Sequence, residues 1–399
     1  FNDKDIEYLD ITSPSGHRTY TRSVFFVLYK AAHDLFPDAM LRIENPVSNG
    51  YYCHIDLPGG ITPEQVEQLK VRMQEIINDD LPFHRLTAHT DEAVKLFRDA
   101  GLETKAKLLE SCGRLYTHYY TLGDVANYFD GSLLVRTSQI YLFDIIPYGD
   151  GILIRVPDSN NPSQLRPMRD QPKMFDVFRQ QHSWQKILGV TTIGELNAAC
   201  AAGYANDLIN VSEALQEKMI SRLADQIAEN PKWKVILIAG PSSSGKTTTS
   251  KRLSVQLMAC GKRPVPISLD DYFVDREKTP LDENGNYDYE SVYAMNIPLF
   301  TEQMNALIKG ESVELPRYNF QTGKSEMSGN VVKPTSETIF ILEGIHALNP
   351  ALTENIPAEN KFKIYASALT TILLDNHNYI PTTDNRLLSR IVRDYKYRG

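Results

Sequence analysis

A short run at Gly240–Thr247, GPSSSGKT, constrains the fold of this chain more than any other feature of its sequence. It matches the phosphate-binding pattern GxxxxGK[ST], in which glycines let the backbone turn with positive φ and bring successive N–H groups onto one concave surface. The run follows an apolar segment, Val235–Ala239, and precedes a segment with apolar residues on one helical face. We therefore predict a strand, a phosphate loop and a helix that begins at Lys246.

The residues of this loop have separate predicted tasks. Lys246 is expected to reach the β and γ phosphates of a nucleoside triphosphate, and Thr247 is expected to coordinate the accompanying Mg²⁺. Backbone N–H groups and the N-terminus of the helix would hold the remaining phosphate oxygens. The residues predicted to bind the nucleotide in this loop are Gly240, Ser242, Ser243, Ser244, Gly245, Lys246, Thr247 and Thr248.

Short apolar runs alternate with helical segments from Trp233 onwards, which is typical of right-handed βαβ units. Such units form a parallel sheet with helices on both faces, and ligands bind beyond the carboxyl ends of its strands. Acids stand at two of these ends, Asp270 after VPISL and Glu343 after IFIL. One carboxylate there can bind Mg²⁺ and another can accept a proton from an attacking hydroxyl, although both acids can also simply cap turns.

Three arginines near the end of the chain, Arg386, Arg390 and Arg393, are spaced to share one face of a helix. Guanidinium groups hold phosphate oxygens in bidentate fashion and neutralise charge on a transferring phosphoryl group. This spacing favours a lid over the triphosphate. The alternative is an ordinary solvated helix face.

Composition excludes several classes of protein. The 42 lysines and arginines against 50 acids, a net charge of -8, give no global positive field for nucleic acid or an anionic membrane. The four cysteines show no CxxC spacing, which argues against a zinc knuckle or a disulfide framework and favours a reducing cytoplasm. No apolar run approaches the roughly 18 residues of a membrane span, and the N-terminus lacks the pattern of a signal peptide. We expect further residues before Phe1 and after Gly399.

Changes of pattern along the chain predict three parts. Residues 1–155 mix helical and strand patterns and indicate an α+β domain. Residues 156–230 begin with a polar, proline-marked stretch and continue as a helical connector, with Ser212 as a candidate helix cap. Residues 231–399 form the α/β part with the phosphate loop.

Six motifs in the α/β part stand in a recognisable order: GPSSSGKTTTSKRL, SLDDYF, NYDYES, PRYNF, FILEGIHAL and DNRLLSRIVRDYKYRG. In this order they resemble the uridine kinase and phosphoribulokinase superfamily, and most closely the uridine/cytidine kinases. The resemblance implies a P-loop NTPase-type parallel sheet, ATP and Mg²⁺ as cofactors, and a small-molecule nucleoside as substrate.

The resemblance also implies roles for individual residues. Asp270 resembles the general base for the nucleoside 5′-hydroxyl, and Lys246 and Arg393 would assist it at the transferring phosphate. The implied ligands and contacts are Thr247, Asp270 and Glu343 for Mg²⁺, Arg393 and Arg398 for the ATP phosphates, and Asp288, Tyr318, Arg386 and Arg390 for the substrate. Asp288 matches the ribose-binding acid and Tyr318 an aromatic beside the nucleobase. Two departures are that no histidine follows Tyr318 and that Ser389 stands where the family usually has an arginine.

Residues from about 20 to 155 resemble the second additional domain of threonyl- and alanyl-tRNA synthetases, and the residues just before them resemble the tail of a TGS domain. That domain usually edits mischarged tRNA with paired histidines and cysteines. The corresponding positions here are Thr21 and Phe25, then Ala126 and Asp130. Because phenylalanine and alanine cannot ligate a metal, we interpret the domain as a scaffold without editing chemistry.

The sequence therefore favours a cytoplasmic kinase that phosphorylates the 5′-hydroxyl of uridine or cytidine with ATP, assembled as a homo-oligomer and independent of membranes. Two alternatives stay open. The first is a kinase of the same superfamily that acts on another nucleoside or on ribulose 5-phosphate. The second is a nucleotide-gated regulatory protein whose N-terminal domain binds tRNA, which the acidic net charge disfavours.

Overall fold

A computed structural model describes residues 8–397, and in it the chain forms two compact units. Unit 1 contains the described residues up to Asn206 together with Thr370–Asp384. Unit 2 contains Asp207–Leu369 and the described residues from Asn385 onwards. This division differs from the three parts predicted from the sequence, since residues 156–206 join the N-terminal domain and a piece of the α/β part does so as well.

The elements as far as the first strand of unit 2 alternate between helices and short antiparallel strands. In chain order they are α1 (Pro14–Leu35), β1 (Leu41–Val47), β2 (Gly50–Ile55), α2 (Pro63–Asn78), β3 (His84–His89), α3 (Thr90–Asp99), α4 (Glu103–Ser111), β4 (Tyr116–Leu122), β5 (Val125–Asn127), β6 (Asp144–Tyr148), β7 (Gly151–Arg155), β8 (Pro157–Asp158), β9 (Asn161–Leu165), α5 (Pro172–Leu188), α6 (Ile193–Ala201) and α7 (Ala205–Glu229).

Unit 1 is an α+β domain built around the long helix α1. Ser13 caps this helix by accepting a hydrogen bond from the N–H of Gly16, and Pro14 occupies its first position, where no N–H is needed. Two antiparallel sheets, in the orders β1-β2-β7-β6 and β3-β4-β5, accompany it. The side chains of Phe26 and Leu28 are completely buried in a core that includes Ile43 of β1. The α+β class predicted for this region agrees with these elements.

The remaining elements alternate between parallel strands and helices, apart from two hairpins. In chain order they are β10 (Val235–Ala239), α8 (Lys246–Ala259), β11 (Arg263–Ser268), α9 (Ile297–Ile308), β12 (Val313–Asn319), β13 (Lys324–Val332), β14 (Thr338–Glu343), α10 (Pro350–Thr353), β15 (Lys361–Tyr365), β16 (Leu373–Asp375), β17 (Asn378–Tyr379) and α11 (Thr382–Tyr397).

Unit 2 is centred on a parallel sheet in the order β11-β14-β10-β15. Alternate residues of β10 enter two different cores, Leu237 with Phe300 of α9 on one face and Ile238 with Leu253 of α8 on the other. Every side chain of β10 is buried, as expected for a central parallel strand covered on both faces. The predicted α/β fold with helices on both faces is therefore confirmed.

One local prediction about the connector was wrong. Ser212 lies inside α7 and caps nothing, because good helix formers surround it and the helix starts at Ala205. The polar stretch after residue 156, whose composition predicts a linker or a surface loop, contains the small hairpin of β8 and β9. Among residues 8–397 no helix combines the length and apolar character that crossing a membrane requires.

Residues Thr370–Asp384, called the return segment below, leave unit 2 after β15 and become part of unit 1. The segment forms the β16–β17 hairpin. Its Asp375 carboxylate accepts a hydrogen bond from the Lys105 ammonium at 2.7 Å, and both side chains are fully buried. The N–H of Ile43 donates to the carbonyl of Asn376 at 2.7 Å. Side-chain and backbone contacts thus build the return segment into unit 1.

Candidate active site

The loop between β10 and α8 has the backbone geometry of a phosphate cradle. Gly245 has φ 88°, a left-handed conformation that a residue with a Cβ rarely adopts, and α8 begins directly after it. Gly240 has no space for a side chain, because an added Cβ would lie 2.0 Å from the carbonyl oxygen of Ala366. Thus the strand, loop and helix predicted from the sequence all form, and both glycines are required by the geometry.

Side chains within this loop leave polar atoms available to a ligand. The Lys246 ammonium donates only a long 3.2 Å hydrogen bond to the carbonyl of Pro241, which a phosphate oxygen could replace. The Ser244 hydroxyl is buried without a partner among the described residues. Thr248, one residue beyond Thr247, is exposed at the first turn of α8. An unpartnered buried hydroxyl beside a loop of this shape fits a bound polyphosphate.

The two predicted acids lie next to this loop. Glu343 is the last residue of β14 and pairs with Ile238 of β10, which places it beside the strand that leads into the loop. The Thr247 hydroxyl donates a 2.9 Å hydrogen bond to the Glu343 carboxylate. Asp270 follows β11 on a 3₁₀ turn, Leu269–Tyr272. The structure therefore brings together acids from two neighbouring strand ends and the first residues of α8.

The electrostatics of Asp270 and Lys246 are coupled. Burial raises the pKa of Asp270, and the charge of Lys246 counteracts this effect. Burial lowers the pKa of Lys246, while the charges of Glu343 and Asp270 raise it and that of Arg386 lowers it further. Each group therefore lies beside a group of opposite charge.

The donor atoms at this position suit Mg²⁺. Thr247 supplies a hydroxyl oxygen, and Glu343 and Asp270 supply carboxylates, all of them hard oxygen ligands. In nucleotide-dependent enzymes Mg²⁺ is usually held by one or two protein groups together with substrate phosphates. Among residues 8–397 no group of three or more His, Cys, Asp or Glu side chains could hold a metal ion.

The arginines of α11 occupy different positions. Arg386 Nε donates to the carbonyl of Ser242 at 3.3 Å, and Arg393 Nη1 donates to the Ser243 hydroxyl at 3.0 Å. Arg393 also pairs with Asp394. Arg390 is exposed, as expected for a residue on the solvent side of the helix. Arg398, predicted to contact ATP, lies outside the described residues.

The predicted substrate residues lie on loops and strands around Asp270. The Asp288 carboxylate accepts hydrogen bonds from the N–H groups of Glu290 and Ser291, at 3.0 and 3.1 Å, so one of its oxygens already caps a turn. Tyr318 is only 5% exposed on β12, and its ring packs against Phe320 with ring centroids 5.0 Å apart. Phe320 is 61% exposed and is the aromatic of this pair that a ligand can reach.

Sequence analysis offers no specific signal for Phe320, and it marks His346 only as a histidine just after the strand that ends at Glu343, where a structural role is expected. His346 follows β14, and its Nε2 is buried without a partner among the described residues. Burial lowers the pKa of His346, while the carbonyls of Glu290 and Ser291 and the charges of Asp270 and Asp288 raise it. The histidine therefore lies close to both acids. The orphaned nitrogen distinguishes it from an ordinary core histidine.

In unit 1, three of the four positions compared with the synthetase editing site lie around the same cavity. Thr21, Phe25 and Asp130 line one cavity of about 530 Å³. Ala126 is on β5 and pairs with Thr121. The Thr21 hydroxyl donates to the carbonyl of His17, so it is committed to its own helix. These four side chains do not assemble a metal site among the described residues.

The geometry of unit 2 defines an α/β nucleotide-binding fold with a phosphate loop and two nearby acids. Comparison with models of protein families is consistent with this class. Residues 235–399 match the model described as the Phosphoribulokinase / Uridine kinase family.

Individual relatives resemble different parts of the chain. A uridine kinase of Halobacterium salinarum is 31% identical over 163 residues, which are 41% of this chain and 63% of that protein. A threonine–tRNA ligase of Clostridium tetani is 29% identical over 140 residues, 35% of this chain and 22% of the ligase, and this similarity lies in the N-terminal region. The solved structure of D-glycerate 3-kinase from Cryptococcus neoformans shares 22% identity over 32% of this chain and 52% of that one, with a TM-score of 0.26. The chain thus spans less than two thirds of each of these relatives.

Proposed function

We propose that the chain transfers the γ-phosphate of ATP to a hydroxyl group of a small molecule, and that the acceptor is the 5′-hydroxyl of uridine or cytidine. The observation that carries this proposal is the cluster of Lys246, Thr247, Asp270 and Glu343 around one phosphate loop. A phosphate loop alone is compatible with hydrolysis or switching. A carboxylate beside it is suited to activating an acceptor hydroxyl.

In this mechanism the loop and its flanking cations hold the triphosphate. Backbone N–H groups of Gly240–Thr247, the Lys246 ammonium and the guanidinium groups of Arg386 and Arg393 balance its negative charge. Thr247 and Glu343 would hold Mg²⁺, with Asp270 close by, and the ion would supply further charge neutralisation at the phosphates.

Asp270 orients the acceptor hydroxyl and takes its proton as the oxygen bonds to the γ-phosphorus. The bond from that phosphorus to the bridging β–γ oxygen breaks, so ADP leaves and the acceptor becomes a phosphate ester. Asp288 has one carboxylate oxygen with which to receive a hydroxyl of the acceptor, and Phe320 is exposed for stacking on a planar base. His346 Nε2 is available for a further hydrogen bond in the same region.

A panel of acceptors tests the proposal. ATP consumption and phosphorylated product are measured with uridine, cytidine, adenosine and ribulose 5-phosphate, using the wild type, Lys246→Ala and Glu311→Gln. We expect turnover with a pyrimidine nucleoside, its loss in Lys246→Ala, and unchanged rates in Glu311→Gln, because Glu311 is exposed after α9. Turnover only with ribulose 5-phosphate would show that the acceptor is a sugar phosphate and not a nucleoside. Equal rates in wild type and Lys246→Ala would refute the proposed kinase activity.

A second candidate is favoured by the threonine–tRNA ligase similarity, namely tRNA binding by unit 1. Real phosphate contacts make affinity fall steeply with salt. Filter binding of tRNA at 50 mM and 200 mM salt separates the two roles, since a kinase without an RNA partner gives weak retention in both conditions.

A further inference from the structure

The cavity of unit 1 has no part in the phosphoryl transfer proposed above. It has a volume of about 530 Å³, within the range of roughly 300–1,000 Å³ that is usual for small-molecule sites. Helix α1 contributes Arg18 and Arg22 to one wall, and the return segment contributes Tyr379 and Thr383 to another. The cavity is therefore closed by residues that are far apart in the sequence.

The α1 wall carries two guanidinium groups, and the carboxylates of Asp130 and Asp384 line the same cavity. Arg18 and Arg22 are one helical turn apart and face the same cavity. Burial lowers the pKa of Arg22 and the nearby charge of Arg18 lowers it further, while Asp130 raises it. Arg22 Nη1 donates to the carbonyl of Ser132 at 2.9 Å. A guanidinium has five N–H donors, so this bond leaves Arg22 able to hold an anion together with Arg18.

The wall formed by the return segment is held in place by hydrogen bonds within unit 1. The ring centroids of Tyr379 and Tyr51 are 5.7 Å apart. The Asn378 amide donates to the Asp375 carboxylate at 2.7 Å and to the carbonyl of Tyr128 at 3.1 Å, so both of its N–H groups are used. The Thr383 hydroxyl and the Asp384 carboxylate also line the cavity, and such groups can accept hydrogen bonds from the hydroxyl groups of a ligand.

We propose that this cavity binds a small organic anion, whose phosphate or carboxylate group is held by Arg18 and Arg22 and whose hydroxyl groups face the return segment. The return segment continues without a break into α11, which starts at Thr382. A ligand that contacts Thr383 orders the first turn of this helix, and the first turn is the costly step of helix formation. Occupancy of the cavity therefore stabilises the helix that carries Arg386 and Arg393.

Direct binding tests the first part of this proposal. The full chain with Lys246→Ala is used, so that anions do not report on the phosphate loop, and is titrated by calorimetry with ribose 5-phosphate and separately with tartrate. We expect one of the two to bind, and Arg18→Gln to weaken that binding at least 10-fold. Arg18 is exposed, so its replacement leaves the fold intact, and Arg85→Gln on the exposed strand β3 is the matched control.

The two probes distinguish the two sources of the anionic group. Binding of ribose 5-phosphate alone assigns a phosphate ester, and binding of tartrate alone assigns a carboxylate. Failure of both probes to bind, or equal affinity in Arg18→Gln and Arg85→Gln, would overturn the proposal.

Hydrogen exchange tests the link to α11 without any enzymatic assay. With the bound probe, amides of residues 382–397 are expected to exchange at least threefold more slowly, and the same amides in Arg18→Gln are expected not to respond. Unchanged exchange on binding would remove the link to the helix. Any consequence of this helix stabilisation for ATP binding rests on the proposed kinase function. Slowed exchange in a protein that shows no turnover would therefore contradict the kinase function and leave the cavity proposal standing.

Discussion

The surroundings of Asp270 contain groups that raise its pKa and groups that lower it. Burial raises its pKa and the charge of Asp271 adds to this effect, whereas Lys246 and His346 lower it. A general base must be ionised and yet able to take a proton, which a carboxylate with a raised pKa does better than one in water. The surroundings of Asp270 thus match the role proposed for it.

Replacing Asp270 by asparagine tests this role. The amide keeps the shape and a hydrogen-bonding oxygen but cannot accept the acceptor's proton, so we expect turnover to fall about 10²–10⁴-fold while ATP still binds. Steady-state rates and ATP titration measure the two effects separately, with Glu311→Gln as the control. An Asp270→Asn variant with normal turnover would assign the proton to another group.

Local sequence patterns predicted the phosphate loop and the two acids at strand ends, because an apolar run precedes each of them in the sequence. They could not predict which neighbour of Tyr318 is exposed. Tyr318 lies in β12 and Phe320 follows the end of that strand, and both rings contact Phe273, so the burial of Tyr318 and the exposure of Phe320 depend on packing between segments that are distant in the sequence. The orphaned nitrogen of His346 likewise depends on contacts between segments distant in the sequence.

At the scale of elements, the β16–β17 hairpin depends on buried polar pairs. The Lys105 ammonium donates to Asp375 at 2.7 Å and to the carbonyl of Tyr128 at 3.0 Å. Burial lowers the pKa of Lys105 and the charge of Asp375 raises it. No local pattern indicates this pair, because its members are 270 residues apart. The parts predicted from the sequence therefore differ from the two compact units at this hairpin.

Removing the Lys105 charge should release the hairpin. Lys105→Met leaves the Asp375 carboxylate buried without its partner, which costs about 3–5 kcal/mol, whereas the double variant with Asp375→Leu should regain most of that loss. Urea denaturation of unit 1 measures both. Arg98→Met, which breaks only exposed pairs with Glu103 and Glu110, is the control and should reduce stability far less than Lys105→Met does. Equal losses in Lys105→Met and Arg98→Met would contradict the expectation.

His377 gives this hairpin a dependence on pH. Burial, and next the charge of Lys105, lower its pKa well below 6.5, so the folded protein keeps the ring neutral while the unfolded chain takes up a proton near that pH. The stabilisation is therefore complete above pH 6.5 and is lost as pH falls below it.

The expected measurement compares unfolding free energies of wild type and His377→Gln. At pH 7.5 the free energy of unfolding of the wild type should exceed that of His377→Gln. This difference should decrease below pH 6.5, by at most about 1.4 kcal/mol per pH unit for one titrating group. His84→Gln, at an exposed histidine of β3, should follow the wild type. A constant difference between wild type and His377→Gln from pH 7.5 to 5 would mean that His377 does not titrate between the two states.

On the scale of the whole molecule, unit 1 is incomplete without the return segment. A fragment ending at Asn206 lacks Asp375, the partner of Lys105, and one wall of the cavity. We expect this fragment to unfold at a lower temperature than unit 1 does in the full chain, and a synthetic peptide of residues 370–384 to raise its midpoint by mass action.

The matched control for this experiment is the same peptide with Asp375→Asn, which removes the charge that faces Lys105. It should raise the midpoint much less than the original peptide does. Equal responses to both peptides, or a fragment as stable as the full chain, would show that unit 1 does not need the return segment.

The path of the chain also sets the order of events during synthesis. Unit 1 is begun first, but the ribosome must translate the whole of residues 207–369 before the β16–β17 hairpin emerges. At roughly 5–20 residues per second, this leaves the nascent N-terminal domain unfinished for some ten to thirty seconds. During that interval Lys105 has no carboxylate to neutralise it, and a chaperone has time to bind before the last strands arrive.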